Sequence, residues 1–257
     1  DSYWIDGVRT GKSRFNGTVI KEDGKLVWKR YAYASQNQRA MDMVWPSVEG
    51  EGSLDAYNDM RYAMVNLRNS DGMSISDSLV EVYPDWASAH LGQLHYYILA
   101  NDEENLRATL AVAQSKLEGA SLAEKTLISA YNPDLTRAER RDVLAKALSF
   151  AGDDPMLRFW YTWTLDSNDE KIAVLESGLA RFPENSVLNN MIAYVHMDND
   201  DMEAAQHHLN VYMRVHPDEP NAYDSMGDLL VEMGDTEGAK EMYNKAAEMH
   251  PDFAEVS

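Results

Sequence analysis

Seven histidines, 43 carboxylates and no cysteine define the side-chain chemistry this sequence has available. Without cysteine there are no disulfides, thiolate metal sites or sulfur nucleophiles. His207-His208 stand near Asp198, Asp200 and Asp201, all residue types that ligate metals. Adjacent helical residues point about 100° apart, so the two rings do not converge on one ion. No His-x-x-x-His pair occurs on a helical face, and Asp198-Asn199-Asp200-Asp201 lacks the glycine and distal glutamate of a calcium loop. A solvated inter-helix turn is expected there, with no metal and no cofactor. His90 and His95 read as packing or groove residues, and His216 and His250 each precede a proline in a repeated context. The nucleophile elbow, the phosphate-cradling loop and the dinucleotide fingerprint are all absent, so no catalytic residue is assigned and no enzymatic activity is expected. In a chain of net charge −20, paired carboxylates belong on solvated faces, where nothing shifts their pKa values. Asn16-Gly17-Thr18 fits a glycosylation acceptor, which matters only in a eukaryotic secretory pathway.

At 257 residues the chain is long for one compact core but ordinary for a repeat array or two modules. Its 44% apolar content is enough to fold, and its acidity disfavours nucleic acid and anionic membranes as partners. No apolar run approaches the roughly 18–20 residues that span a bilayer, so no membrane insertion is expected. The charge is uneven: +4 over residues 1–40, −8 over 41–151 and −16 over 152–257. The first 45 residues also hold seven of the 25 aromatics. Strand-like runs at Asn16–Lys21 and Lys25–Tyr33 flank Glu22-Asp23-Gly24, which predicts a β-hairpin. Residues 1–52 are therefore assigned to an N-terminal arm, closed by Trp45-Pro46 and the Gly50/Gly52 stretch, and a lone hairpin must pack on something to persist.

From residue 53 the pattern is helical and periodic. Pro183, Pro217 and Pro251 are spaced by 34 residues, and each follows a helical run: Ala173–Phe182, Ala204–His216 and Ala239–His250. Proline ends each second helix because it supplies no amide to continue it, whereas Pro155 and Pro220 sit at helix starts, where no donor is needed. Small residues predict where paired helices touch, with Gly227 facing Ala239 and Ala193 facing Ala205. Upstream, Trp86–Ala100 pairs with Asn105–Leu117, and Leu122–Tyr131 with Thr136–Phe150. Leu54–Leu67 and Ser76–Val82 form a first pair broken at Asn69–Gly72.

The last unit, with Tyr223, Met226-Gly227, Leu230, Gly234, Ala239, Tyr243, Ala246 and Pro251, resembles the tetratricopeptide repeat, with Met226 in place of a leucine. The unit at 187–217 keeps Ile192-Ala193, Ala205, Leu209 and Pro217 but has Asn189 for the first aromatic and Tyr212 for the last alanine. The unit at 155–183 is shorter, in a turn placed at Ser167–Asp169, and keeps Tyr161, Leu165, Leu175 and Gly178. The resemblance implies an all-α, right-handed superhelical solenoid of about six antiparallel helix pairs over residues 53–257, carrying the short β-hairpin arm. It further implies that ligands bind the concave face lined by the first helix of each pair. The matching positions include Gln93, Tyr96, Tyr97, Phe159, Trp163 and Asp166, then Asn190, Tyr194 and Asp198, then Asn221, Asp224, Asp228 and Glu232. Such a face is aromatic at one end and acidic at the other, and none of these positions carries the Lys/Arg clamp that some members use for a C-terminal carboxylate. The alternative for Phe159, Trp160 and Trp163 is burial in a tightly packed helix.

The expected function is thus a non-catalytic scaffold for a protein or peptide partner, with a basic or mixed basic-apolar segment as ligand. Alternatives are an accessory module of an envelope enzyme or transport complex, and an enzyme with a site between the arm and the first repeats. The acidity fits a periplasmic or secreted setting. No capping helix follows Pro251, which predicts that Met242, Met249 and Phe253 are left exposed. That end then either self-associates into a homo-oligomer or is plugged by a folded-back Phe253.

Overall fold

A computed structural model describes residues 4–5, 8–9, 18–22, 25–29, 47, 53–149 and 151–253. In the N-terminal region, β1 (Trp4–Ile5) pairs with β2 (Val8–Arg9), and β3 (Thr18–Glu22) with β4 (Lys25–Lys29), both antiparallel. Asp23 and Gly24 of the expected hairpin turn, and most of the 1–52 arm, lie outside the described residues. The rest is helical, and its contacts divide the chain into two compact units. One comprises residues 1–65 and 69–164, the other residues 66–68 and 165–257.

The first unit contains α1 (Ser53–Val65), α2 (Asn69–Val82), α3 (Leu91–Leu99), α4 (Glu103–Ser115), α5 (Leu122–Ser129), α6 (Arg137–Leu148) and α7 (Pro155–Trp163). A 3₁₀ turn at Ala87–His90 leads into α3. The second unit contains α8 (Asn168–Leu179), α9 (Ser186–Met197), α10 (Met202–Val215), α11 (Pro220–Glu232) and α12 (Thr236–Met249), and ends in a 3₁₀ turn at Pro251–Phe253. The two helices of the predicted 155–183 repeat, α7 and α8, therefore fall in different units. The turn between them precedes Asn168, upstream of the expected Ser167–Asp169.

Turn chemistry explains where the helices stop. Three first helices end in a left-handed residue followed by an aspartate: Asn101-Asp102, Asp200-Asp201 and Gly234-Asp235. The aspartate amide reaches back to the carbonyl five residues earlier, as in Asp102 to Tyr97, Asp201 to His196 and Asp235 to Leu230, which satisfies an orphan carbonyl. Its side chain then caps the next helix by accepting from the amide of Asn105, Ala204 or Gly238. One Asp thus ends one helix and starts the next. Ser121 with Glu124 and Thr136 with Glu139 form capping boxes on α5 and α6.

The expected break at Asn69–Gly72 is not a break, because α2 begins at Asn69 and runs through Gly72. The glycine serves packing. A Cβ on Gly92 of α3 would collide with the Gly72 carbonyl, so two glycines let the backbones of α2 and α3 meet. Gly227 likewise admits a large neighbour: a Cβ there would come within 2.5 Å of the Tyr243 ring. It faces Tyr243, whereas the sequence suggested Ala239.

Buried Tyr57, Met60, Met64, Trp86, Leu91 and Leu127 belong to the core of the first unit. Inside it, Arg61 and Asp154 are both fully buried and bonded at 2.5 Å, and Asp154 also accepts the Met156 and Leu157 amides that open α7. In the second unit Ala193, Ala205, Leu209, Met226 and Leu229 cluster together. The two departures from the repeat pattern in α9 and α10 are buried hydrogen-bond hubs. Asn189 donates to the carbonyls of Pro183 and Asn185. The Tyr212 hydroxyl donates to Asn66 Oδ1 at 2.5 Å and accepts from Asn221 Nδ2 at 3.2 Å.

Candidate functional site

The predicted binding residues fall into two groups, one in each unit. In the second unit, the hairpin turns bring α11 back in the direction of α9, and α12 packs against α11. Asp228 of α11 is the hub of this face. Its Oδ2 accepts from the Tyr194 hydroxyl of α9 at 2.5 Å and its Oδ1 from the Tyr243 hydroxyl of α12 at 2.6 Å. Burial, together with the carboxylates of Asp228 and Asp224, holds both phenols well above the usual tyrosine range. Asp228, expected to meet a ligand, is instead committed on both oxygens to holding three helices together. Tyr243 was read from sequence only as a repeat aromatic, so its part in this face was missed.

One turn earlier on α11 lies Asp224, half-buried and with no hydrogen bond or ion pair among the described residues. Burial, and then the neighbouring Asp228 charge, push its carboxyl up to about 6. Asn221, one turn further back, is 1% exposed. Tyr212 spends its proton on Asn66, so Asn221 must present Nδ2 to it, which fixes the amide and leaves Asn221 Oδ1 without a donor. On α9, Asn190 lies one turn before Tyr194, and its Oδ1 is also buried without a partner among the described residues. Asp198 and Glu232 are exposed at the far ends of the two helices.

In the first unit the aromatic residues sit on α3 and α7. Tyr96 is 39% exposed and meets half-buried Tyr97 edge-on at 5.8 Å. Trp163 is 62% exposed and 6.2 Å from half-buried Phe159, which rules out the core alternative for Trp163. Trp160 is the packed member of the trio: it lines a small pocket with Ile98, Leu127, Tyr131 and Leu144 and contacts His95 at 5.6 Å. Gln93 is held by Asp77 and His90, while Asp166 is exposed in the second unit.

Of the histidines, His95 is buried and its pKa is pushed down to about 4 by burial. His208 is lowered to about 4 by burial and by His196 and His207, whose rings lie 5.6 and 5.3 Å away. Asn189 uses its amide nitrogen on backbone carbonyls, so its Oδ1 accepts from His208 Nδ1 at 2.8 Å. Among the described residues no three His, Cys, Asp or Glu side chains are grouped to hold a metal. Nor is any helix among them long and apolar enough to cross a membrane. Glu124 is fully buried, with Oε1 accepting from Trp86 Nε1, Ser88 Oγ and both the amide and the hydroxyl of Ser47, and Oε2 from the Ser121 amide. So satisfied a carboxylate braces structure. Only its capping role was readable, from Ser121-x-x-Glu124.

At the end of the chain Met242 and Met249 are half-buried, and Phe253 is 4% exposed. The closing 3₁₀ turn folds Phe253 against Tyr223 and Ala246, with Met213, Met242 and Met249 around it, so the expected exposure of these residues is corrected.

Residues 220–253 match the tetratricopeptide repeat family. No curated protein matches the sequence. Among solved structures, the chain is similar to one in the APC/C hetero-tetramer Cut9–Hcn1, with 14% identity and a TM-score of 0.52 over 75% of this chain. It covers 39% of that longer chain. It is also similar to PilW, a widely conserved type IV pilus biogenesis factor, at 14% identity and a TM-score of 0.46, covering 79% of this chain and 98% of that one. YrrB, a TPR protein with an unusual peptide-binding site, gives 17% identity and a TM-score of 0.40 over 69% of this chain and 93% of its own.

Proposed function

We propose that this chain, a tetratricopeptide-repeat protein, is a non-catalytic scaffold that binds a protein or peptide partner along the faces of its first helices. The observation that carries this reading is the α9/α11 face, where Asp224 and two unpartnered amide oxygens stand without a lysine or arginine bonded to them among the described residues. A surface of acceptors in a segment of net charge −16 selects for donors and positive charge. Separately, the first unit exposes the rings of Tyr96 and Trp163, which offer apolar contact of their own. The ligand is accordingly an extended segment alternating basic and apolar residues.

The test is fluorescence anisotropy with a capped nonapeptide of alternating arginine and leucine, against the same peptide with glutamate for arginine. Binding of the basic peptide alone is expected, weakening at least tenfold between 50 and 500 mM salt as the pairing is screened. Equal binding of the acidic peptide, or no dependence on salt, overturns the reading.

A further inference from the structure

The chemistry of the α9/α11 face narrows the class of side chain it takes, an inference that rests on the scaffold reading above. The two helices are tied by Tyr194 and Asp228. Stepping back one turn on each brings Asn190 opposite Asp224, because residues four apart share a helix face. Asn221 lies on that same face, three residues before Asp224. Among the described residues, the groups without a partner here are chiefly acceptors, the Asn221 Oδ1, the Asn190 Oδ1 and the two oxygens of Asp224, with the buried Ser225 hydroxyl beside them. The tyrosine hydroxyls on this face, Tyr194 and Tyr243, are already given to Asp228. A buried amide oxygen without a donor carries an uncompensated desolvation cost, and Asn221 is 1% exposed with its orientation fixed by Tyr212.

We propose that Asp224, with the amide oxygens of Asn190 and Asn221, forms an acceptor-rich seat for a single arginine guanidinium of the partner segment. A lysine ammonium brings three donors to these four acceptor atoms, while a guanidinium brings five in a planar fork that also matches a carboxylate edge to edge. The seat is proton-linked. The titratable groups around Asp224 are Asp228 on its own helix, Tyr194 from α9 and Tyr243 from α12, and α10 contributes the neutral Tyr212 beside Asn221. With a carboxyl held near 6, the free seat is part-protonated in mild acid, and the guanidinium must displace that proton to bind.

The experiment uses the full chain and three capped nonapeptides alternating leucine with arginine, lysine or citrulline, the last a neutral isostere of arginine. Affinities are measured at pH 7.5 and pH 5, for the wild type and for Asp224→Asn. The expected result is at least fivefold preference for arginine over lysine, about tenfold over citrulline, and a loss of several-fold on going to pH 5. Asp224→Asn is expected to weaken arginine binding about tenfold and to flatten its pH dependence. The same variant is expected to unfold at a higher temperature at pH 7.5, because it removes a carboxylate that the fold disfavours in its charged form. A variant that binds weakly because it is damaged unfolds earlier instead, and that outcome counts against the seat. If wild type binds the arginine peptide and Asp224→Asn leaves affinity and pH profile intact, or lysine binds equally well, the seat is refuted and the scaffold reading survives. If no cationic peptide binds at 50 mM salt, both fall.

Discussion

At the scale of single residues, the departures from the repeat pattern in α9 and α10, Asn189 and Tyr212, are buried hydrogen-bond hubs. Tyr212 occupies a position where the resemblance calls for alanine, and its hydroxyl joins Asn66 to Asn221 inside the second unit. Restoring the pattern should therefore harm the protein. Tyr212→Ala is expected to cost about 3–5 kcal/mol through the cavity it leaves. Tyr212→Phe is expected to cost about 1–3 kcal/mol by removing one hydrogen bond from each of two buried amides, and urea unfolding distinguishes the two. The period of 34 made Tyr212 visible as an exception, but nothing local in the sequence could name Asn66, 146 residues away, as the reason. A second residue-scale expectation concerns acid. His95 has a pKa lowered to about 4 in the fold, below its ordinary 6.5, so the folded state favours its neutral form. Its stabilising contribution is complete above pH 6.5 and is lost as pH falls through that value toward 4. Asp224, raised to about 6, runs the other way and favours the fold as pH drops from 6 toward its ordinary 3.8. In an Asp224→Asn background, stability should fall monotonically from pH 7 to 4.5. Adding His95→Phe should remove much of that slope in urea midpoints, His208 supplying the remainder.

Among elements, helix existence was legible from apolar period and proline spacing, and helix boundaries less so. The failure at Asn69–Gly72 is instructive. Glycine after asparagine, serine and aspartate has the composition of a turn, yet here it lies inside α2 because α3 presses its own glycine against it. A glycine that serves close approach and one that serves a turn look alike in a single sequence. The difference is testable. Gly92→Ala forces the α2 and α3 backbones apart and is expected to destabilise by about 2–3 kcal/mol, as overpacking does. Gly234→Ala, at φ +81° with open space around it, is expected to cost only about 1 kcal/mol of backbone strain. Both are read by thermal unfolding monitored on helical circular dichroism. The Asn101-Asp102, Asp200-Asp201 and Gly234-Asp235 turns show the opposite case. The acidic run at Asp198–Asp201 is an exposed turn whose last aspartate caps α10.

Over the whole molecule, the sequence pointed to twelve helical runs and to the direction of the charge gradient, whereas the division into two compact units after Thr164 left no compositional mark. On the candidate face, helical spacing is enough to put Asn221 and Asp224 together. What the spacing does not show is that the oxygens of Asp228 accept from tyrosines 34 residues upstream and 15 downstream. The chain end makes a prediction about association. Phe253 covers Tyr223 and the methionines of the last helices, so Phe253→Ala bares an apolar patch on α11 and α12. The variant is expected to self-associate with rising concentration in light scattering while the parent does so less. Equal behaviour of the two denies Phe253 its plugging role.

The Glu124 carboxylate sets a limit on how this protein can be shortened. Two of its five donors come from Ser47, which precedes the first helix. A fragment starting at residue 53 would keep the twelve described helices and leave this fully buried carboxyl with three donors, from Trp86, Ser88 and Ser121. Such a fragment is therefore expected to melt earlier than one beginning at Ser47, the serine that answers an acid 77 positions further on.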